Sequence, residues 1–128
     1  FKPLYKDYVD LAHSHGKFAF MHSDGYILDI YEHLIEIGVD AINSQLFTMP
    51  IEEIARRFRG RITFWGEMDR QYILPFGTPD EVRAAVARVQ EAFGTLDGGV
   101  IGQAEFNKAN PMENIRAFFE AWWGTPEA

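Results

Sequence analysis

The chain has 128 residues, with 12 Lys and Arg against 19 Asp and Glu, so its formal net charge is −7 at pH 7. This length suits one domain, and 47% hydrophobic residues are enough for a packed core, which excludes a disordered chain. The acidic balance argues against a nucleic-acid partner, and no apolar run is long enough for a membrane span. The lack of cysteine excludes disulfides and thiolate zinc sites, and we expect a cytoplasmic protein.

The first predicted element is a helix that ends before Gly16, a residue type that commonly follows a helix C-terminus. Its apolar residues recur at i, i+4 and i+7 and therefore share one face. They are Leu4, Tyr5, Tyr8, Leu11 and Ala12.

Short apolar segments at 18–21, 39–42, 62–65 and 98–102 are predicted strands. The segments between them have helical spacing, from about Ile27 to Gly38 and from Ile51 to Gly60. Two further helices are predicted to begin at TPDE (78–81), a capping box, and at NPME (110–113), which repeats that pattern.

The order is therefore an alternation of about five helices with four strands. Such an alternation predicts an α/β fold with right-handed crossovers and a parallel sheet. Four strands are consistent with a small doubly wound sheet or with one half of a (β/α)8 barrel, and the pattern alone does not separate the two.

A pair of polar residues at i, i+2 follows each predicted strand. Because the carboxyl ends of parallel strands meet at one edge of a sheet, these pairs predict a shared active or binding face. The pairs are His22 and Asp24, Asn43 and Gln45, Glu67 and Asp69, and Gln103 and Glu105.

Three of these pairs also have a structural interpretation. Asp24 is a possible helix N-cap, and Asn43 and Gln45 are able to satisfy loop backbone groups. Glu67 and Asp69 lie beside Arg70, which favours a local ion pair as much as acid–base chemistry. His22 fits a structural hydrogen bond or a cleft-facing role.

One nitrogen and two oxygen donors lie on two of these loops, in His22, Asp24 and Glu105. This donor set is acceptable to zinc, iron or manganese. No spacing-defined metal motif accompanies it, so the metal site is a hypothesis that rests on the donor types alone.

Four segments resemble the uroporphyrinogen decarboxylase (URO-D) superfamily: FMHSDG at 20–25, LIEIGVDAIN at 34–43, LPFGTPDEVR at 74–83 and PMENI at 111–115. They follow that family's order over essentially the whole chain and match its C-terminal half. Since the family fold is a (β/α)8 barrel, the resemblance implies that residues 1–128 are a single partial domain, the C-terminal half of a TIM barrel.

The resemblance implies a cofactor-free decarboxylase of porphyrin biosynthesis or a corrinoid-dependent methyltransferase. The decarboxylase uses an Arg and an Asp of early barrel loops, which this chain lacks, and a histidine after the last strand, where this chain reads GQAEFN at 102–107. The methyltransferases bind zinc through His-x-Cys and a later cysteine. Here His22-Ser23-Asp24 keeps the histidine and has a carboxylate in place of the thiolate, and Ala104 and Glu105 occupy the later region.

The resemblance therefore predicts decarboxylation of a tetrapyrrole carboxylate or a related small molecule, with the chain inert by itself. The alternatives are methyl transfer with zinc and a non-catalytic assembly module. We expect a missing N-terminal half or a second copy, in a dimer, to complete the barrel. The predicted catalytic residues, which are also the metal candidates, are His22, Asp24 and Glu105. The predicted substrate-binding residues are Asn43, Gln45, Glu67, Asp69 and Gln103.

Overall fold

A computed structural model describes residues 1–124. This part of the chain contains four strands and six α-helices, with single 3₁₀ turns before α2 and α3. The helices are α1 (Lys2–Ser14), α2 (Tyr31–Glu36), α3 (Ile51–Phe58), α4 (Ile73–Phe76), α5 (Pro79–Phe93) and α6 (Met112–Trp123). The strands are β1 (Phe20–Ser23), β2 (Ala41–Ser44), β3 (Thr63–Glu67) and β4 (Val100–Gln103).

All four strands are parallel and form one sheet in the order β1-β2-β3-β4. The predicted mixed α/β fold with a parallel sheet is thus confirmed. Strand order follows chain order throughout, without the reversal that a doubly wound sheet has at its switch point. Each crossover therefore advances the sheet by one strand in the same direction.

Each strand begins one or two residues later than the sequence predicted. Phe18, assigned to the first strand, is 79% exposed and lies outside the sheet. At the start of β2, the Asp40 carboxylate accepts a hydrogen bond from the backbone N–H of Ala19 (2.7 Å) and pairs with His13 of α1 (2.8 Å). The shift places His22 and Asn43 inside their strands rather than just after them.

One face of the sheet is covered by helices. Ile42 and Phe64 point to this face and are fully buried in a core that Tyr31 of α2, Phe58 of α3 and Phe93 of α5 complete. The rings of Tyr31 and Phe58 stack at 5.3 Å, and those of Phe64 and Phe93 at 4.1 Å. Burial of this aromatic and aliphatic surface is the main stabilising contribution to the fold.

The opposite face has no covering layer within residues 1–124. Phe20 and Ile101 point to it and are 54% and 39% exposed. In α1 only Val9 is buried in the core, and Val9 is not part of the predicted apolar face. That predicted face is largely exposed. The first helix therefore presents Leu4, Tyr8 and Leu11 to solvent.

The two predicted helix starts have different outcomes. Thr78 caps α5 in a full capping box with Glu81, as expected. The capping role assigned to Asn110 is wrong: α6 begins at Met112 after Pro111, and Asn110 Oδ1 instead accepts from Asn107 N (2.7 Å). Helix α4 was not predicted, and it brings the number of α-helices in residues 1–124 to six rather than five.

Among the helices of residues 1–124, none combines the length and the apolar composition that crossing a membrane requires.

Candidate functional site

The carboxyl ends of the strands place a row of side chains on the open face of the sheet. The register aligns His22 with Asn43, Asn43 with Trp65, and Trp65 with Ile101. Two residues further along, Glu67 and Gln103 are also register partners. Since residues i and i+2 of a strand point to the same face, both rows lie on the open side of the sheet.

Asn43 connects three strands through its side-chain amide. Its Nδ2 donates to the Trp65 carbonyl (3.0 Å) and to Gln103 Oε1 (3.3 Å). Both amide hydrogens are therefore committed to β3 and β4, and Asn43 Oδ1 faces His22. The side chain is 7% exposed, so these hydrogen bonds hold it in one orientation.

That orientation determines the state of His22. His22 Nδ1 lies 2.6 Å from Asn43 Oδ1, and because an amide oxygen only accepts hydrogen bonds, Nδ1 carries the hydrogen. The other ring nitrogen, Nε2, lies 3.8 Å from Asp24 Oδ2, and the His22 side chain is more than half exposed. His22 thus presents Nε2 for proton transfer, with a carboxylate nearby to stabilise the imidazolium.

Arg70 joins three carboxylates that come from three strand ends. Its Nη2 donates to Asp24 Oδ1 (2.7 Å), its Nη1 to Glu105 Oε2, and its Nε lies 3.2 Å from Glu67 Oε1. Of the local ion pairs considered for Arg70, the one with Glu67 is present. Asp24, considered as a helix cap, instead forms part of this cluster.

Glu67 is the buried member of the cluster, at 3% exposure. Burial raises the pKa of its carboxyl above the ordinary value, Arg70 acts against that rise, and the charges of Asp24 and Glu105 add to it. Neither oxygen accepts a hydrogen bond from any group in residues 1–124. A buried carboxyl without such partners is energetically costly and rare outside functional sites.

Two of the predicted substrate-binding residues are turned towards the loop backbone. Gln45 Oε1 accepts from Gly25 N (2.7 Å) and so ties the loop after β1 to the loop after β2. Asp69 Oδ1 accepts from the backbone N–H groups of Gln71 and Tyr72, both at 2.9 Å, at the turn that leads into α4. The other three predicted substrate-binding residues, Asn43, Glu67 and Gln103, point to the same face of the sheet as His22, and Asn43 and Glu67 are buried there.

The three proposed metal ligands come near one another but are not arranged as a metal site. Asp24 and Glu105 both bind the guanidinium of Arg70, whose positive charge occupies the position that a cation would need. Within residues 1–124, no group of three or more His, Asp or Glu side chains is placed to hold a metal ion. As the side chains lie, they do not fit zinc unless Arg70 moves away.

Sequence reasoning did not predict the central position of Arg70, which it treated only as a local ion-pair partner of Glu67 and Asp69. Arg70 follows β3 by three residues, so it lies outside the i, i+2 pattern. A signal was present in its position, since it is a cation within three residues of two predicted strand-end carboxylates, Glu67 and Asp69.

No family model matches the chain, and no curated protein matches it.

Proposed function

We propose that this chain is the C-terminal half of a (β/α)8 barrel of the URO-D superfamily. The sheet order β1-β2-β3-β4, with the crossover helices α2, α3 and α5 packed on one face, supports the half-barrel architecture. The family assignment rests on the resemblance of the segments at 20–25, 34–43, 74–83 and 111–115. A barrel is built by repeating this step eight times, whereas an open doubly wound sheet needs helices on both faces.

The surfaces left uncovered support the same proposal. β1 and β4 each have an unpaired edge in residues 1–124, and an apolar helix flanks each of them. Beside β1, α1 exposes Leu4 and Tyr8; beside β4, α6 exposes Phe119 and Trp123. Four more parallel strands with their helices, from a second copy or from an N-terminal half, would cover both surfaces and remove both edges.

For the completed barrel we propose decarboxylation of a tetrapyrrole carboxylate or a related substrate. A substrate carboxylate is able to exchange with Asp24 or Glu105 on Arg70, because both acids have exposed side chains. The C–C bond to that or a neighbouring carboxylate breaks, carbon dioxide leaves, and the electron pair stays on the substrate carbon. Protonated His22 then transfers its Nε2 proton to that carbon, while Asn43 holds the ring in position.

The first test measures binding of uroporphyrin to the chain by quenching of tryptophan fluorescence. We expect saturable binding that weakens at least about tenfold, or ~1.4 kcal/mol, in His22→Ala and in Arg70→Ala. His15→Ala is the matched control, because His15 follows α1 and hydrogen-bonds to Leu11 O, away from the site. Equal binding by all variants would contradict the proposed site.

The second test measures the reaction. The chain is mixed with a separately expressed N-terminal half-barrel of a URO-D enzyme, and release of carbon dioxide from uroporphyrinogen is followed. We expect no release by the chain alone and release by the mixture, lost in His22→Ala. No release by a mixture that forms a stable complex would overturn the decarboxylase assignment.

Methyl transfer by a corrinoid-dependent, zinc-containing enzyme is the second candidate, because His22, Asp24 and Glu105 gather around one cluster. It requires Arg70 to release both acids. Elemental analysis of the purified chain separates the candidates: stoichiometric zinc that is lost in His22→Ala would favour the methyltransferase. A chain that binds neither zinc nor uroporphyrin would favour a non-catalytic assembly module.

A further inference from the structure

The two outer helices of residues 1–124 each have a strand on one side only. α1 precedes β1 and α6 follows β4, whereas α2, α3 and α5 lie between successive strands of the sheet. In a (β/α)8 barrel one helix of the outer ring follows each strand, so each junction between neighbouring strands has room for one helix, which we call its helix slot. α1 belongs to the slot before β1, and α6 belongs to the slot after β4.

The helix slot before β1 is filled by α1. Val9, at the centre of this helix, is buried in the core on the helix-covered face of the sheet. Tyr5 lines a crevice together with Met21 of β1 and Leu34 of α2. The first helix therefore lies in the same layer as the crossover helices, with α2 on one side and the unpaired edge of β1 on the other.

The helix slot after β4 is filled in the same way by α6. The indole of Trp122 packs on Gly102 of β4, on the face that the helices cover. On the side of α5, Arg83 Nη2 donates to Glu120 Oε2 (3.1 Å). Both ends of the four-stranded sheet thus have a helix of the outer ring in place.

A second copy of this chain conflicts with this arrangement. If β4 of that copy paired with the free edge of β1, its α6 would enter the helix slot that α1 already fills. An α-helix with its side chains is about 10–12 Å across, so two helices do not fit into one slot. Twofold symmetry repeats the clash at the other junction. The formal charge of −7 on each copy also opposes their association.

The exposed apolar faces of the outer helices show where a partner is needed. α1 exposes Leu4, Tyr8 and Leu11, and α6 exposes Phe119 and Trp123. A helix of a complete outer ring has a neighbouring helix on both sides, but in residues 1–124 α1 has only α2 and α6 has only α5. Two further helices, one at each end, would remove these apolar surfaces from water.

We infer that these faces and the two sheet edges dock a different parallel β/α unit, one of four strands that begins and ends with a strand and has three crossover helices. Its terminal strands pair with β1 and β4, and its first and last helices cover α6 and α1. Five helices of this chain, without the single turn α4, and three of the partner make the eight helices of a complete ring. The inference rests on the proposed half-barrel and selects one of the two partners that the half-barrel allows.

The test uses sedimentation velocity on the whole chain, alone and with two forms of the N-terminal half of a URO-D enzyme. The short form ends at the fourth strand of that barrel, and the long form continues through the helix that follows this strand. We expect no defined dimer of the chain alone. We expect a 1:1 complex with the short form and a Kd at least about tenfold weaker with the long form, because its last helix competes with α1.

A pair of variants tests whether α1 causes this preference. Val9→Asp places a charge at the buried position of α1 and should release the helix from its slot, so the long form should then bind at least as tightly as the short form. Leu11→Asp is the matched control, because Leu11 is exposed on the same helix, and the preference for the short form should remain. The comparison of the two forms on the unchanged chain needs no substitution and stands if Val9→Asp does not fold.

The outcomes separate this inference from the proposed function. A defined dimer of the unchanged chain, or equal affinity for the short and long forms, would overturn the inference and leave the half-barrel proposal standing. Binding of neither form would contradict the half-barrel itself and the inference with it.

Discussion

Replacing Gly102 by alanine is expected to destabilise the end of the sheet that carries Gln103. Gly102 lies in β4, where the indole of Trp122 packs directly on the backbone. A Cβ at this position would lie 2.6–2.9 Å from three ring carbons of Trp122. Ordinary carbon–carbon contacts are about 3.5–4.0 Å, so the ring or the strand would have to move by roughly 1 Å.

Such a movement is costly because Trp122 is held between two cores. It packs against the cluster around Phe64 and against the smaller cluster around Phe118. Overpacking of this kind typically costs about 1–3 kcal/mol. A displaced β4 would also lengthen the hydrogen bond from Asn43 Nδ2 to Gln103 Oε1, now 3.3 Å. Asn43 would then be less firmly oriented, and so would His22, whose Nδ1 donates to Asn43 Oδ1.

The free energy of unfolding is measured by urea denaturation for four proteins: the unchanged chain, Gly102→Ala, Trp122→Leu and the double variant. A smaller side chain at position 122 makes room for the new methyl group, so the double variant should be less destabilised than the sum of the single variants. The coupling energy should approach the cost of Gly102→Ala itself. A cost below about 0.5 kcal/mol, or additive effects, would refute the packing argument.

Two further predictions concern the site. Asn43→Leu removes the acceptor of His22 Nδ1–H, so ¹⁵N NMR of the imidazole should change from one fixed tautomer to a mixture; an unchanged spectrum would contradict the assigned role of Asn43. For Glu67, burial raises the folded-state pKa above the ordinary 4.5, so its stabilising contribution is complete below the unfolded-state pKa and is lost as pH rises through the folded-state value. Urea denaturation at several pH values should therefore show the unchanged chain losing stability relative to Glu67→Gln as pH rises above 4.5, and a constant difference would contradict the desolvation of Glu67.

The sequence was sufficient for features that depend on neighbouring residues. The stop at Gly16 is confirmed by its positive φ of 65°, and the capping box at Thr78 by its two reciprocal hydrogen bonds. The spacing of apolar residues predicted the order of the strands along the chain. It did not predict α4, a single turn that follows the Asp69 loop. It also did not predict the true start of α6, because Asn110 accepts a hydrogen bond from Asn107 N–H instead of capping the helix.

Whether an apolar helix face is covered or exposed could be read only from the tertiary structure. The apolar stripe of α1 indicated a helix with one apolar face, but whether a partner covers that face depends on elements that do not adjoin it in sequence. In residues 1–124 it is left exposed, and that exposure supports the proposed half-barrel.

By itself, the sequence determined the alternation of helices with parallel strands and the gathering of polar residues at the strand ends, since both follow from local spacing and from the direction of the crossovers. Only the tertiary structure decided what those residues do to one another. The hydrogen bonds from Asn43 to His22 and to Gln103 join residues 21 and 60 positions apart, and Arg70 reaches Asp24 across 46. These contacts depend on the register and twist of a sheet built from all four strands, which no local pattern of residues specifies.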